Sequence, residues 1–196
     1  VAARAEVLTR AEGREIVLQN GLVRRVFRIA PDAATVSLER LSTSEEFVRA
    51  AGPEALLTID GAAHPVGGLL GQPNRAFLRP EWLDAMTADP KAFRYVGHTV
   101  GATAPRLPWK RTAGDAERPW PPPGVSLTLR FDAPAAGPAG VSVDVHYELY
   151  DGLPAISKWL TVRNGGSRPV RLERCVAERI AVVEPESIVE GAERWR

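Results

Sequence analysis

A chain of 196 residues, 44% hydrophobic and 25% charged with a formal net charge of +1, has the apolar material for one packed core. That balance suggests neither a disordered chain nor an electrostatic grip on nucleic acid. Cys175 is the single cysteine, which excludes an internal disulfide and a thiolate metal cluster.

The first strand signal is Ile16-Val17-Leu18 leading into Asn20-Gly21, the dipeptide best suited to a tight hairpin because both central residues accept positive φ. Residues 22–29 form the returning strand. After Pro31-Asp32 a third strand spans 35–41, with Val36 and Leu38 on one face. Overlapping Ser/Thr-x-x-Glu spacings in 42–46 predict a short capped helix to about Ala50, ended by Gly52-Pro53. Leu56, Leu57 and Ile59 run into Asp60-Gly61, predicting a second hairpin with His64-Pro65 on its return arm.

From 67 to 123 alternation gives way to Gly, Pro, Asn and aromatic residues, with a helical turn or two expected from Pro80. Residues 93–100 read as a strand. The segment 104–124 is too rich in proline for a helix and favours an extended path. Alternation resumes at 125–131, and the connector 133–140 delivers the chain to its most regular stretch.

In that stretch Val143, Val145, Tyr147 and Leu149 alternate with Asp144, His146, Glu148 and Tyr150, the period-two pattern of a strand with one buried and one wet face. Asp151-Gly152 and Pro154 reverse the chain. On the return arm Ile156, Lys158, Leu160 and Val162 share a face, with Trp159 opposite. A third strand at 169–183 carries Val170, Leu172, Val176, Ile180 and Val182 in phase, which predicts a three-strand meander. Cys175 within it is expected to be packed. About eight or more strands with little helix give an all-β fold of two stacked antiparallel sheets, with 1–196 as one domain.

Chemistry is sparser. His64, His98 and His146 show no metal-ligand spacing, and no phosphate loop, nucleophile elbow or nucleotide fingerprint occurs, so no metal or cofactor is expected. His64 reads as a surface residue and His146 as exposed or cross-strand bonded, while His98 could reach a cleft. Glu81 with Asp84 is a carboxylate pair whose simpler reading is charge at a helix start. Asp144 and Glu148 lie some ~13 Å apart along one strand, too far to share a proton. Trp82, Trp109 and Trp120 fall in the irregular half, where flat rings could stack on a sugar or cover a neighbouring domain. Trp82, Trp109, Trp120 and His98 are the candidate contacts for a carbohydrate, the alternative for the tryptophans being packing beneath the loops. With no apolar run of the ~20 residues a membrane helix needs, no membrane partner is expected, and the net charge of +1 leaves none expected among nucleic acids.

The stretch HYELYDGLPAISKWLTVRN, with NGLVRRVFRI and LLTIDGAAHPVGGLLGQPN before it, resembles the amino-terminal β-supersandwich domain of the α-galactosidases of glycoside hydrolase family 36 and their bacterial relatives. The resemblance implies a galactose-mutarotase-like supersandwich preceding a barrel that holds both catalytic carboxylates. It implies a non-catalytic accessory domain that packs on the barrel, takes part in homo-oligomers and lends a loop to the sugar pocket. The long proline-rich loop departs from the family pattern. The chain begins without methionine and stops at Trp195-Arg196 without an end signal, so it is expected to be the amino-terminal part of a longer enzyme. Two alternatives carry distinct signatures. A mutarotase-type aldose epimerase would need His98 or His146 with Glu148 as its acid and base. A free-standing sugar-binding module would need the three tryptophans as a platform.

Overall fold

The computed structural model describes residues 3–107 and 119–183. The chain opens with an antiparallel five-stranded sheet in sequential order: β1 (Glu6–Arg10), β2 (Glu15–Gln19), β3 (Val23–Arg28), β4 (Ala34–Arg40) and β5 (Glu45–Glu46). The Asn20-Gly21 hairpin forms as its sequence predicts. The Asn20 side chain accepts from the Leu22 and Val23 amides at 3.1 Å. It also donates to the carbonyls of Tyr150 and Leu153, tying this hairpin to the central one.

The helix expected after Ser42 is absent. The chain turns through 41–44 and continues as β5 and β6 (Val48–Ala50). Glu46 does not reach back to cap a helix, because it accepts from Ser37 Oγ, Leu38 N and Val48 N at 2.6–2.9 Å. Open donors on β4 outcompete a local capping box.

The second predicted hairpin forms from β7 (Ala55–Ile59) and β8 (Ala62–Val66). Beyond it, β9 (Leu69–Leu70) pairs with β10 (Thr87–Ala88) around a short 3₁₀ helix at Pro80–Ala85. Gly67 lies at φ +61°, and a Cβ there would stand 2.3 Å from the Ala33 carbonyl oxygen. Only glycine fits this crossing.

A four-stranded antiparallel sheet follows, made of β11 (Arg94–Ala102), β12 (Gly124–Asp132), β13 (Val141–Tyr150) and β14 (Ile156–Asn164). The inner alternation of β13 holds: Val143, Val145, Tyr147 and Leu149 are all fully buried. Its outer face is less wet than the pattern implies, since Asp144 and Glu148 are only 3% and 4% exposed. Arg130 and Arg163 cover Asp144, while the Ala104 amide and Tyr150 hydroxyl cover Glu148.

The predicted three-strand meander is also corrected, because the third arm leaves the sheet. β15 (Leu172–Val176) pairs with β7, and β16 (Ala181–Val182) pairs with β6. Asp60 sets this path, its amide donating to the Arg171 carbonyl at 2.9 Å and its carboxylate accepting from the Arg171 amide at 2.8 Å. On this outer strand Cys175 is exposed, not packed.

One core binds the sheets together. Ile16, Leu18 and Phe27 from the first sheet meet Leu57, Ile59 and Val66 from the second, and Leu127, Leu129, Phe131 and the inner face of β13 from the third. Each such side chain contributes about 1.5–3 kcal/mol on leaving water. The result is an all-β protein of packed antiparallel sheets, as the periodicity implies. Ala34, Ala51, Leu69, Leu83 and Met86 form a smaller cluster beneath the 3₁₀ helix.

Candidate functional site

The sheets part along β14. Because β15 has moved to β7, the flank of β14 has no neighbouring strand among the described residues, and a cleft of about 300 Å³ opens between it and the first sheet. Its walls are Val23, Leu38, Phe47, Pro154 and Ile156, and its polar lining is Arg25, Glu39, Lys158 and Glu178. Apolar walls converging on a few charged groups are the usual anatomy of a small-molecule site.

Strand alternation places the floor. Arg25 lies on the core-facing side of β3, and Lys158 continues the inward row of β14 directly opposite Tyr147. Both side chains are buried, at 4% and 8% exposure. Between them sits Glu54, 1% exposed, just ahead of β7. Its Oε1 accepts from the Thr35 hydroxyl at 2.8 Å and from the Thr35 amide. Its Oε2 accepts from the Tyr147 hydroxyl and from Arg25 Nη2, the latter at 3.2 Å, with Lys158 Nζ 3.6 Å away. Lys158 also donates to the Glu54 carbonyl at 2.6 Å.

Glu178 completes the cluster from the coil between β15 and β16. It accepts from Arg25 Nη1 at 2.8 Å and from Lys158 Nζ at 3.0 Å. Two cations thus face two carboxylates, but the carboxylates are held differently. Glu54 is enclosed, whereas the Glu178 side chain is 35% exposed.

These contacts set the ionisation of the cluster. Burial opposes charge on Glu54, yet Lys158, Arg25 and the hydroxyls of Tyr147 and Thr35 outweigh it and hold its carboxyl below the ordinary range. Burial likewise opposes the Arg25 cation, and the fields of Tyr147, Glu54 and Glu178 overcome it, raising its pKa. Burial pushes Tyr147 well above its ordinary value, and desolvation lowers Lys158 despite its carboxylate partners.

The outer face of β11–β14 is a second polar assembly. His146 bonds Thr128 Oγ1 through Nδ1 and Thr161 Oγ1 through Nε2, each at 2.9 Å. It stacks on Trp159 with ring centroids 4.9 Å apart, and the Arg106 guanidinium lies 4.0 Å from the Trp159 centroid. Desolvation lowers the His146 pKa. Both imidazole nitrogens are therefore engaged within the sheet, consistent with the cross-strand bonding expected of it.

The predicted contacts do not converge on either assembly. Trp82, on the 3₁₀ helix, packs on Phe77 at 5.3 Å between centroids, with Arg79 over both rings. Trp120 is 47% exposed at the far end of the proline-rich loop. Trp109 lies outside the described residues. His98 is exposed on β11, where its Nδ1 bonds the Tyr95 hydroxyl at 2.7 Å beside a groove lined by Gly97, Thr128 and Arg130. Glu81 pairs with Arg79, while Asp84 pairs with Arg14 and Arg28, which answers the carboxylate pair as local charge compensation. His64 is half-buried: one edge packs against Phe93 and its Nδ1 is enclosed, while the residue keeps partial contact with solvent. Among the described residues no group of His, Cys, Asp and Glu has the arrangement of a metal site.

Sequence reasoning missed Arg25, Glu54 and Glu178 because they are far apart in the chain. The one legible signal was Lys158, a charge in an otherwise apolar inward row. No protein-family profile, curated protein or solved structure matches the chain.

Proposed function

We propose that the chain is a non-catalytic accessory domain of a carbohydrate-active enzyme, of α-galactosidase-like glycoside hydrolase type and galactose-mutarotase-like supersandwich build. It packs beside a following catalytic domain and holds a sugar in the cleft along β14. The observation that carries this reading is the cleft itself, whose volume of about 300 Å³ suits one or two sugar rings. Phe47, Val23, Leu38 and Ile156 supply faces for C–H surfaces, and Glu39, Arg25, Lys158 and Glu178 supply partners for hydroxyls.

The non-catalytic part rests on the engagement of the acid and base groups. Glu54 is enclosed by four partner residues, Asp144 by two arginines and Glu148 by Tyr150 and the Ala104 amide. His146, the base an epimerase would need beside Glu148, is tethered at both nitrogens.

Titration calorimetry of galactose and other neutral monosaccharides against the wild type and Phe47→Ala tests the reading. Binding that weakens at least fivefold in Phe47→Ala is expected. Absence of any sugar binding, or acceleration of galactose mutarotation abolished by His146→Ala, would refute it.

A further inference from the structure

Glu178 joins the cluster on different terms from every other member. Arg25, Glu54, Tyr147 and Lys158 are carried on or beside strands of the packed core and are buried. Glu178 comes from the coil joining β15 to β16, and its side chain remains 35% exposed. It meets the cluster only with its carboxylate, one oxygen toward Arg25 Nη1 and the other toward Lys158 Nζ.

It also borders two spaces. Arg25 and Glu178 line both the 300 Å³ cleft and a narrow pocket on the other side, bounded by Thr35, Val48, Gly52, Pro53 and Ile180. Withdrawing this one side chain would leave Arg25 and Lys158 facing a single carboxylate, that of Glu54. A buried surplus cation demands an anion.

We propose that Glu178 is a tethered stand-in for a ligand carboxylate, and that the cleft takes an acidic sugar, a uronic acid, whose carboxylate displaces Glu178 from Arg25 and Lys158. This rests on the reading of the cleft as a sugar site and adds the class of sugar. The exchange conserves charge, because one carboxylate leaves the cations as another arrives. The ring of the ligand lies against Phe47, Leu38 and Ile156, and the guanidinium of Arg25 presents a planar fork suited to a carboxylate. The tethered group competes with every ligand. Apparent affinity is therefore the intrinsic affinity reduced by the fraction of molecules in which Glu178 is withdrawn.

The test is calorimetric titration of galacturonate, galactose and acetate into the wild type, Glu178→Gln and Lys158→Met, each variant first checked for an unchanged circular dichroism spectrum and cooperative melt. The wild type is expected to bind galacturonate at least tenfold more tightly than galactose or acetate. Glu178→Gln, which removes the competing charge, should tighten galacturonate tenfold or more while leaving galactose within about twofold. Lys158→Met should erase the preference. Equal affinity for galactose and galacturonate would overturn the uronate assignment and leave the sugar cleft standing. Acetate binding as tightly as galacturonate would overturn it as well, showing an anion site with no use for the ring. Should neither sugar bind the wild type or Glu178→Gln, both the assignment and the reading beneath it fail. If Lys158→Met does not fold, a galacturonate affinity in Glu178→Gln that fails to exceed the wild type decides against the proposal by itself.

Discussion

Replacing Glu54 by Gln tests whether the ionic cluster is a built part of the core. The substitution keeps size and one carbonyl oxygen, so the two bonds from Thr35 to Oε1 can persist. The other position becomes an NH₂ group facing the Tyr147 hydroxyl, Arg25 Nη2 and Lys158 Nζ, all of them donors. Tyr147 can rotate its proton away and accept, but the two cations cannot. They are left sharing Glu178, the partner closest to solvent. Breaking one side of a buried ion pair costs about 3–5 kcal/mol. That is a large fraction of the about 5–15 kcal/mol that holds a typical domain together. Urea denaturation monitored by tryptophan fluorescence would show a lower midpoint at an unchanged slope. A loss below about 1 kcal/mol would refute the reasoning, since it would mean that water reaches Arg25 and Lys158. A cycle with Arg25→Met sharpens the test: the double variant should lose less than the sum of the singles, because neither charge is then stranded.

Tyr147→Phe keeps the inner row of β13 packed and removes one charge-assisted bond to Glu54, so a loss of about 1.5–3 kcal/mol is expected in the same assay. Gly67→Ala forces a Cβ against the Ala33 carbonyl at positive φ; with strain of about 1–3 kcal/mol, the thermal midpoint should fall by several degrees. The folded-state pKa of His146 lies below its ordinary 6.5, so the folded protein resists the proton that the unfolded chain accepts. Its contribution to stability is complete above about pH 6.5, declines as pH falls toward the folded pKa, and is level below it. His146→Gln should flatten that part of a stability–pH curve, and an unchanged slope would show that other groups carry it. Glu54 acts over a lower range. Its depressed pKa gives stability that is present above its ordinary 4.5 and lost as pH falls through the folded value, so Glu54→Gln should reduce acid sensitivity there.

Strand identity and facing were legible in the sequence wherever the cause is local. Asn20-Gly21 and Asp60-Gly61 specify tight turns because glycine accepts positive φ. The alternation of Val143, Val145, Tyr147 and Leu149 specifies an inner face because successive strand side chains point to opposite sides. Pairing over distance was not legible. Glu46 has the spacing of a capping box, yet donors on β4 claim it. The strand around Cys175 continues the phase of β14 in sequence, yet Asp60 hooks it onto β7. That single change of partner leaves the flank of β14 open and creates the cleft. The site shows the same division. Sequence marked Lys158 as a charge in an apolar row, but its partners Glu54 and Glu178 lie 104 and 20 residues away. A buried charge requires a partner and carries no information about where in the chain that partner is, so only the packing of the sheets could bring Arg25, Glu54, Lys158 and Glu178 to one point.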